Sequence, residues 1–212
     1  MLQYIAMEAQ VDKEHYRFES YGTVARWGSY HYQIRELLAC KPQSVLEVGV
    51  GDEVVGHYLK TQTDIKYTSI DVAEDLHPDI LGSVTEMPCK DNQFDVVCAF
   101  EVLEHIPHDE VPTAVGEMAR VAKTHLAISV PHFGPPILFR LKLPFLPDLK
   151  FAWKIPYPRV HEFKGEHYWE LGKKGYPPER FRSLLARYGE VVSEFVPFEN
   201  QYHHFFIVKL KQ

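Results

Sequence analysis

The sequence predicts a three-layer α/β/α domain built on a mostly parallel sheet. From residue 44 to 130, apolar runs rich in β-branched residues alternate with polar or amphipathic segments, the pattern of buried parallel strands covered by helices on both faces. Two glycines, Gly49 and Gly51, directly follow the first run and directly precede a helical segment, where a tight turn is needed. The 212 residues, 45% of them hydrophobic, suit one domain with a single core.

In chain order, the candidate strands cover residues 44–48, 66–71, 79–84, 94–100 and 125–130. Segments 53–61 and 111–122 read as helices, the second with Val111, Ala114, Val115, Met118 and Ala119 on one face. The link between Asp71 and Asp79 is too short for a standard crossover helix, so a single turn or none is expected there. Residues 1–20 read as a mobile arm or a cap, and 27–39 as a helix, which together make an N-terminal region of residues 1–43. At the far end, 178–188 reads as a helix and 189–197 with 202–210 as an antiparallel hairpin.

Between the two halves lies a proline- and aromatic-rich insert, 131–177, too irregular for an ordinary strand-to-helix link. Residues 140–187 carry 11 basic and 5 acidic side chains, against 12 and 24 in the rest of the chain. Within the insert, 134–158 interleaves apolar and basic residues. The reading is a lid whose apolar side covers the active site, with a peripheral membrane contact through 134–158 as the alternative.

The overall charge of −6 argues against a protein that coats nucleic acid. No apolar run reaches the roughly 18 residues of a membrane-spanning helix, and the N-terminus lacks a signal-peptide layout, so a cytoplasmic location is expected. Cys40, Cys89 and Cys98 are odd in number and widely spaced, which suggests neither a disulfide framework nor a CxxC metal site. No metal is expected from the twelve histidines either. His161 and His167 are six apart rather than four, and His203 and His204 point to opposite faces of a strand.

The glycine turn reads Gly49-Val50-Gly51-Asp52-Glu53-Val54, without the final small residue of a dinucleotide fingerprint. Glu47, Asp52 and Glu53 would repel a pyrophosphate and attract a cation. In this context Glu47-x-Gly49-x-Gly51 resembles the first motif of class I, type 11-like S-adenosylmethionine-dependent methyltransferases, with Glu53 where the family has a third glycine. The resemblance extends to Asp71 at the end of the second strand and to QFDVVCAFEVLEHIP at the fourth.

The resemblance implies a Rossmann-like fold whose seven-stranded sheet ends in an antiparallel last strand. It implies that Gly49 and Gly51 cradle the methionine part of S-adenosyl-L-methionine, with Glu47 near its amino group and Asp71 on the ribose hydroxyls. Val72 would border the adenine, Ser83 would stand where the family often has an adenine-binding aspartate, and Phe100, Glu101 and Val102 would line the pocket.

Methyl transfer from a sulfonium needs mainly positioning and a suitable field. For an acceptor that must lose a proton, His105 or His132 is the candidate base. His167, Tyr168 and Trp169 are the candidates for acceptor binding, by stacking and hydrogen bonding. The expected acceptor is a small molecule, lipid or glycan. The alternatives are an NAD-dependent oxidoreductase, which the acidic turn disfavours, and a non-catalytic S-adenosylmethionine-binding protein.

Overall fold

The structure, a computed structural model, describes residues 13–211. A seven-stranded sheet forms its centre: β1 (Ser44–Val48), β2 (Lys66–Asp71), β3 (Ile80–Leu81), β4 (Phe94–Phe100), β5 (Ala122–Pro131), β8 (Gly189–Phe195) and β9 (His203–Leu210). Their spatial order is β3-β2-β1-β4-β5-β9-β8. β1 to β5 pair in parallel, and β9 runs antiparallel to both β5 and β8. This is the seven-stranded sheet with a reversed last strand that the resemblance implies.

Strand alternation builds the layers. Leu46, Val97 and Ala99 face α4 (Val111–Val121) and α5 (Pro178–Leu185), packing with Val115, Met118, Phe181 and Leu185. Val45, Val96 and Cys98 face the other way, against Tyr30 and Leu37 of α2 (Val24–Ala39) and Val55 and Leu59 of α3 (Val54–Gln62). A sheet covered on both faces needs nearly continuous apolar strands, which β1 and β4 supply.

The edges differ from expectation. The third strand shrinks from 79–84 to two residues, because Ser83 and Glu86 close a turn in which the Ser83 hydroxyl accepts from the Thr85 amide at 3.2 Å. The link before it holds only a 3₁₀ turn, Glu74–Leu76. β5 is longer than the 125–130 expected, since α4 ends at Val121 and the chain enters the sheet at once.

The insert also departs from its expected irregularity. It holds a hairpin, β6 (Pro136–Leu141) with β7 (Leu149–Lys154), which four prolines between residues 135 and 147 disguise as loop. Its register pairs Ile137 with Trp153, Phe139 with Phe151 and Leu141 with Leu149, all six at least 37% exposed. The apolar face therefore covers nothing among the described residues, contrary to a closed lid. The opposite face carries Arg140, Lys150 and Lys154. Lys150 pairs with Glu199, and Lys154 donates to the carbonyls of His132 and Gln201.

The arm splits between what is described and what is not. Residues 1–12 lie outside the described residues, while Tyr16, in the turn before α1 (Phe18–Tyr21), packs on Val50 and Ala73 beyond the ends of β1 and β2.

Candidate cofactor and acceptor site

The strand order reverses between β1 and β4, and ligands of open α/β sheets bind at such a switch point, beyond the carboxyl ends of the strands. Both predicted motifs end there. Gly49 sits at φ +83°, and a Cβ on it would lie 2.5 Å from Cγ2 of Val102, so the two motifs are in contact. Gly51 is also left-handed, at φ +57°. Glu53, in the place of the third glycine, keeps the left-handed conformation at φ +60°. The turn geometry is thus retained at the cost of some side-chain strain.

Asp71 organises this turn. Its Oδ2 accepts from the amide of Val50 and its Oδ1 from that of Ala73, both at 2.8 Å. Each oxygen keeps a second lone pair for a ligand hydroxyl. Tyr16 packs on Val50, Ala73 and Leu76, and with Glu14, Arg17, Gly51, Asp52, Glu53 and His77 it frames a cavity of about 340 Å³. Nothing in the sequence marks Tyr16 for this position, because it reaches the turn from a distant arm.

Glu47 lies lower, 6% exposed, with its carboxylate taken by the Tyr67 hydroxyl at 2.5 Å. Burial pushes its pKa up to about 8, against the Tyr67 hydrogen bond. Val72 follows Asp71 in the loop, and Phe100 packs against Phe205. Ser83 is engaged within its own turn, 2.8 Å from the Thr85 hydroxyl.

Beyond β4 the chain bends sharply. Glu101 has φ +57°, accepts a hydrogen bond from the Ser129 hydroxyl at 2.7 Å and lies 3.5 Å from Nδ1 of His203. Burial raises its carboxyl to about 7. Glu104, in the 3₁₀ turn Leu103–His105, is fully buried, and burial holds its carboxyl well above the usual range. His105 meets His167 edge to face at 5.0 Å between centroids. His167 in turn has Nδ1 3.4 Å from both Glu170 and the Tyr202 hydroxyl.

His167, Glu170 and Tyr202 line a polar cleft of about 540 Å³ together with Arg159, His161, Lys164, Glu166 and Lys173 among others. His167 was expected here, and the structure brings it together with His105. His203 and Tyr202 were missed, since only the β5–β9 pairing and the fold of the insert bring them near Glu101 and His167.

Two expectations need correcting. Trp169 is fully buried and its indole donates to the carbonyl of Leu103 at 3.1 Å, so it is a packing element with no face open to an acceptor. His132 stacks on His204, with Nδ1 3.0 Å from Nδ1 of His204, and burial drives its pKa down to about 3. Such a group is a poor proton acceptor at neutral pH. Tyr168 is 37% exposed and stacks on Phe163 at 4.4 Å.

Comparison with known proteins agrees with the fold. Residues 46–126 match the family described as a methyltransferase domain. No curated protein matches the chain in sequence. Among solved structures, the magnesium protoporphyrin IX methyltransferase of Synechocystis PCC 6803 with bound S-adenosylhomocysteine is similar, with a TM-score of 0.60 at 12% identity, over 96% of this chain and 90% of that one. The 1,6-didemethyltoxoflavin-N1-methyltransferase of Burkholderia thailandensis, with its substrate and S-adenosylhomocysteine, gives 0.58 at 16% identity, over 90% and 79%. A Pyrococcus horikoshii OT3 protein, PH0226, gives 0.56 at 13%, over 88% and 92%. At these identities the likeness is one of fold, and the family match covers residues 46–126, the stretch from β1 into β5.

Proposed function

We propose that the chain transfers a methyl group from S-adenosylmethionine to a small-molecule, lipid or glycan acceptor. The observation that carries this reading is Asp71, whose carboxylate spans the glycine turn and the second strand end while keeping lone pairs for a ribose diol. The side chains fit the cofactor's charge as well. Asp52 and Glu53 give the cavity an acidic side suited to a sulfonium and an ammonium, and unsuited to a pyrophosphate, while Glu14 on its rim pairs with Arg17. When bound, the cofactor supplies an electrophilic methyl carbon. The protein's share is to fix that carbon near the cleft beside His167 and to exclude water, with Tyr16 closing the turn.

Calorimetric titration tests it. S-adenosylhomocysteine is expected to bind and NAD not, and the reverse pattern would sink the reading. Asp71→Ala is expected to weaken binding by about 1–3 kcal/mol, the penalty for removing the partner of buried hydrogen-bonding groups. An unchanged affinity would take Asp71 out of the site.

We further propose that the acceptor is met at an anionic membrane surface, on the strength of the insert hairpin. Its outward face is wholly apolar and Phe145 at the tip is fully exposed, with Lys142 beside it in no described ion pair, whereas Arg140 and Lys150 pair with Asp148 and Glu199 and Lys154 is held by backbone carbonyls. Aromatic and aliphatic groups flanked by cations suit the headgroup boundary of such a bilayer. No helix among the described residues is long and apolar enough to cross a membrane. Co-sedimentation with phosphatidylserine-containing vesicles is the measurement. Replacing Phe145 and Trp153 by serine is expected to lower partitioning by about tenfold or more, since burying one such side chain is worth about 1.5–3 kcal/mol. Equal sedimentation of the variant and the unmodified chain would end the proposal.

A further inference from the structure

Glu104 presents a problem that the methyl-transfer reading leaves unsolved. Its side chain is completely buried, and neither Oε1 nor Oε2 has a hydrogen-bond partner among the described residues. Such a carboxylate is costly as an anion, and as a neutral acid it still leaves a donor and an acceptor unsatisfied. Native interiors resolve this with a cation or a bound metal.

One ligand atom from each of Glu104, His105 and His167 lies within 4.8 Å of the others. The two segments that bring them together are locked to each other by the backbone. The amide of Tyr168 donates to the carbonyl of Glu104 at 2.8 Å, and the Trp169 indole to the carbonyl of Leu103 at 3.1 Å. The fold therefore brings the three residues together. Glu170 stands 3.4 Å from Nδ1 of His167, where a carboxylate accepting a hydrogen bond from Nδ1–H leaves Nε2 with a free lone pair.

We infer that Glu104, His105 and His167 form a binding site for a divalent transition-metal ion. Two imidazoles and one carboxylate suit zinc or manganese better than magnesium or calcium, which favour oxygen ligands throughout. Three protein ligands leave coordination positions for a further oxygen. His167 also lines the polar cleft, so those positions are adjacent to where an acceptor would sit. Resting on the methyl-transfer reading, this narrows the acceptor to one bearing a hydroxyl. An ion held there would lower the pKa of a bound hydroxyl, whose proton would leave through the polar cleft that His167 lines. The hydroxyl oxygen forms the new bond to the methyl carbon, and the carbon–sulfur bond breaks to leave neutral S-adenosylhomocysteine.

The ligands escape a search by chain spacing, because Glu104 and His105 are adjacent on one turn and His167 arrives from the insert 62 residues later.

The full chain, stripped with a chelator, is titrated with zinc or manganese chloride alone, and the ion retained after desalting is measured by elemental analysis. About one ion per chain is expected, as for a site with three protein ligands. Glu104→Gln and His167→Ala are each expected to weaken retention by about tenfold or more, the effect of losing a ligand of this kind. Less exposed to folding failure, His105→Ala is a third arm with the same expectation. Affinity for S-adenosylhomocysteine is measured in parallel and should stay unchanged in all three, so that loss of the metal site and loss of the cofactor reading give different results. Retention by neither metal, or equal retention by all variants and the unmodified chain, would overturn the assignment.

Discussion

Trp169→Ala is expected to destabilise the chain by about 3–5 kcal/mol, the range for truncating a large buried aromatic side chain. The indole has no exposed surface and packs against Phe181 at 5.7 Å, His108 at 5.4 Å and Tyr176 at 6.2 Å between centroids. Truncation also removes the indole N–H that donates to the carbonyl of Leu103, so a lost hydrogen bond adds to the cavity. Trp169→Phe separates the two contributions, since it keeps most of the apolar contact and loses the N–H. Urea unfolding monitored by far-UV circular dichroism measures both. A loss below about 1 kcal/mol for the alanine variant would contradict the packing described, because surface positions behave that way and core aromatics do not.

Gly49→Ala is expected to weaken S-adenosylhomocysteine binding by about 30-fold or more. Two independent costs act on one methyl group. Left-handed backbone costs a residue with a Cβ about 1–2 kcal/mol. The new Cβ also falls 2.5 Å from Val102, and overpacking of this kind costs about 1–3 kcal/mol. Relief by shifting the turn would disturb the Val50 amide that Asp71 holds. The double variant Gly49→Ala/Val102→Ala removes the collision but not the dihedral strain, so it should recover part of the loss. Calorimetry well below the unfolding temperature of each variant reads the effect. No recovery in the double variant would mean that the contact between the two motifs is not what sets the affinity.

The parts of this molecule that were legible in the sequence obey short-range rules. β1, β2 and β4 have the expected limits because each is a run of apolar or β-branched residues ended by a glycine, an acidic residue or a proline-bearing turn. Gly49, Gly51 and Asp71 were readable because the turn and the strand end impose their residue types locally. Where long-range pairing decides, the sequence was silent. His203 reaches Glu101 only through the β5–β9 register, and Tyr16 reaches the glycine turn only through the path of the arm. Trp169 was misplaced because an aromatic side chain fits a pocket wall and a core plug equally well by composition. The hairpin of the insert was hidden for the opposite reason, since its prolines are turn signals while its strands stand clear of the main sheet.

The adjacent pair His203 and His204 places one further constraint on the molecule. Antiparallel β9 sends His203 to the side of Glu101 and His204 to the side of His132 and Glu194. A strand alternates with a period of two, so a register slip of one residue would exchange the two imidazoles between the layers. Apolar neighbours Phe205, Phe206, Ile207 and Val208 would be exchanged with them, although both faces are lined by buried side chains and could absorb such a swap without exposing apolar surface. Hydrophobicity alone therefore fixes this register weakly, and the polar partners must do the rest. Relatives that keep both histidine contacts should tolerate gaps in the 196–202 turn only where the strand phase is preserved, which makes the length of that turn as informative as the identity of the residues it joins.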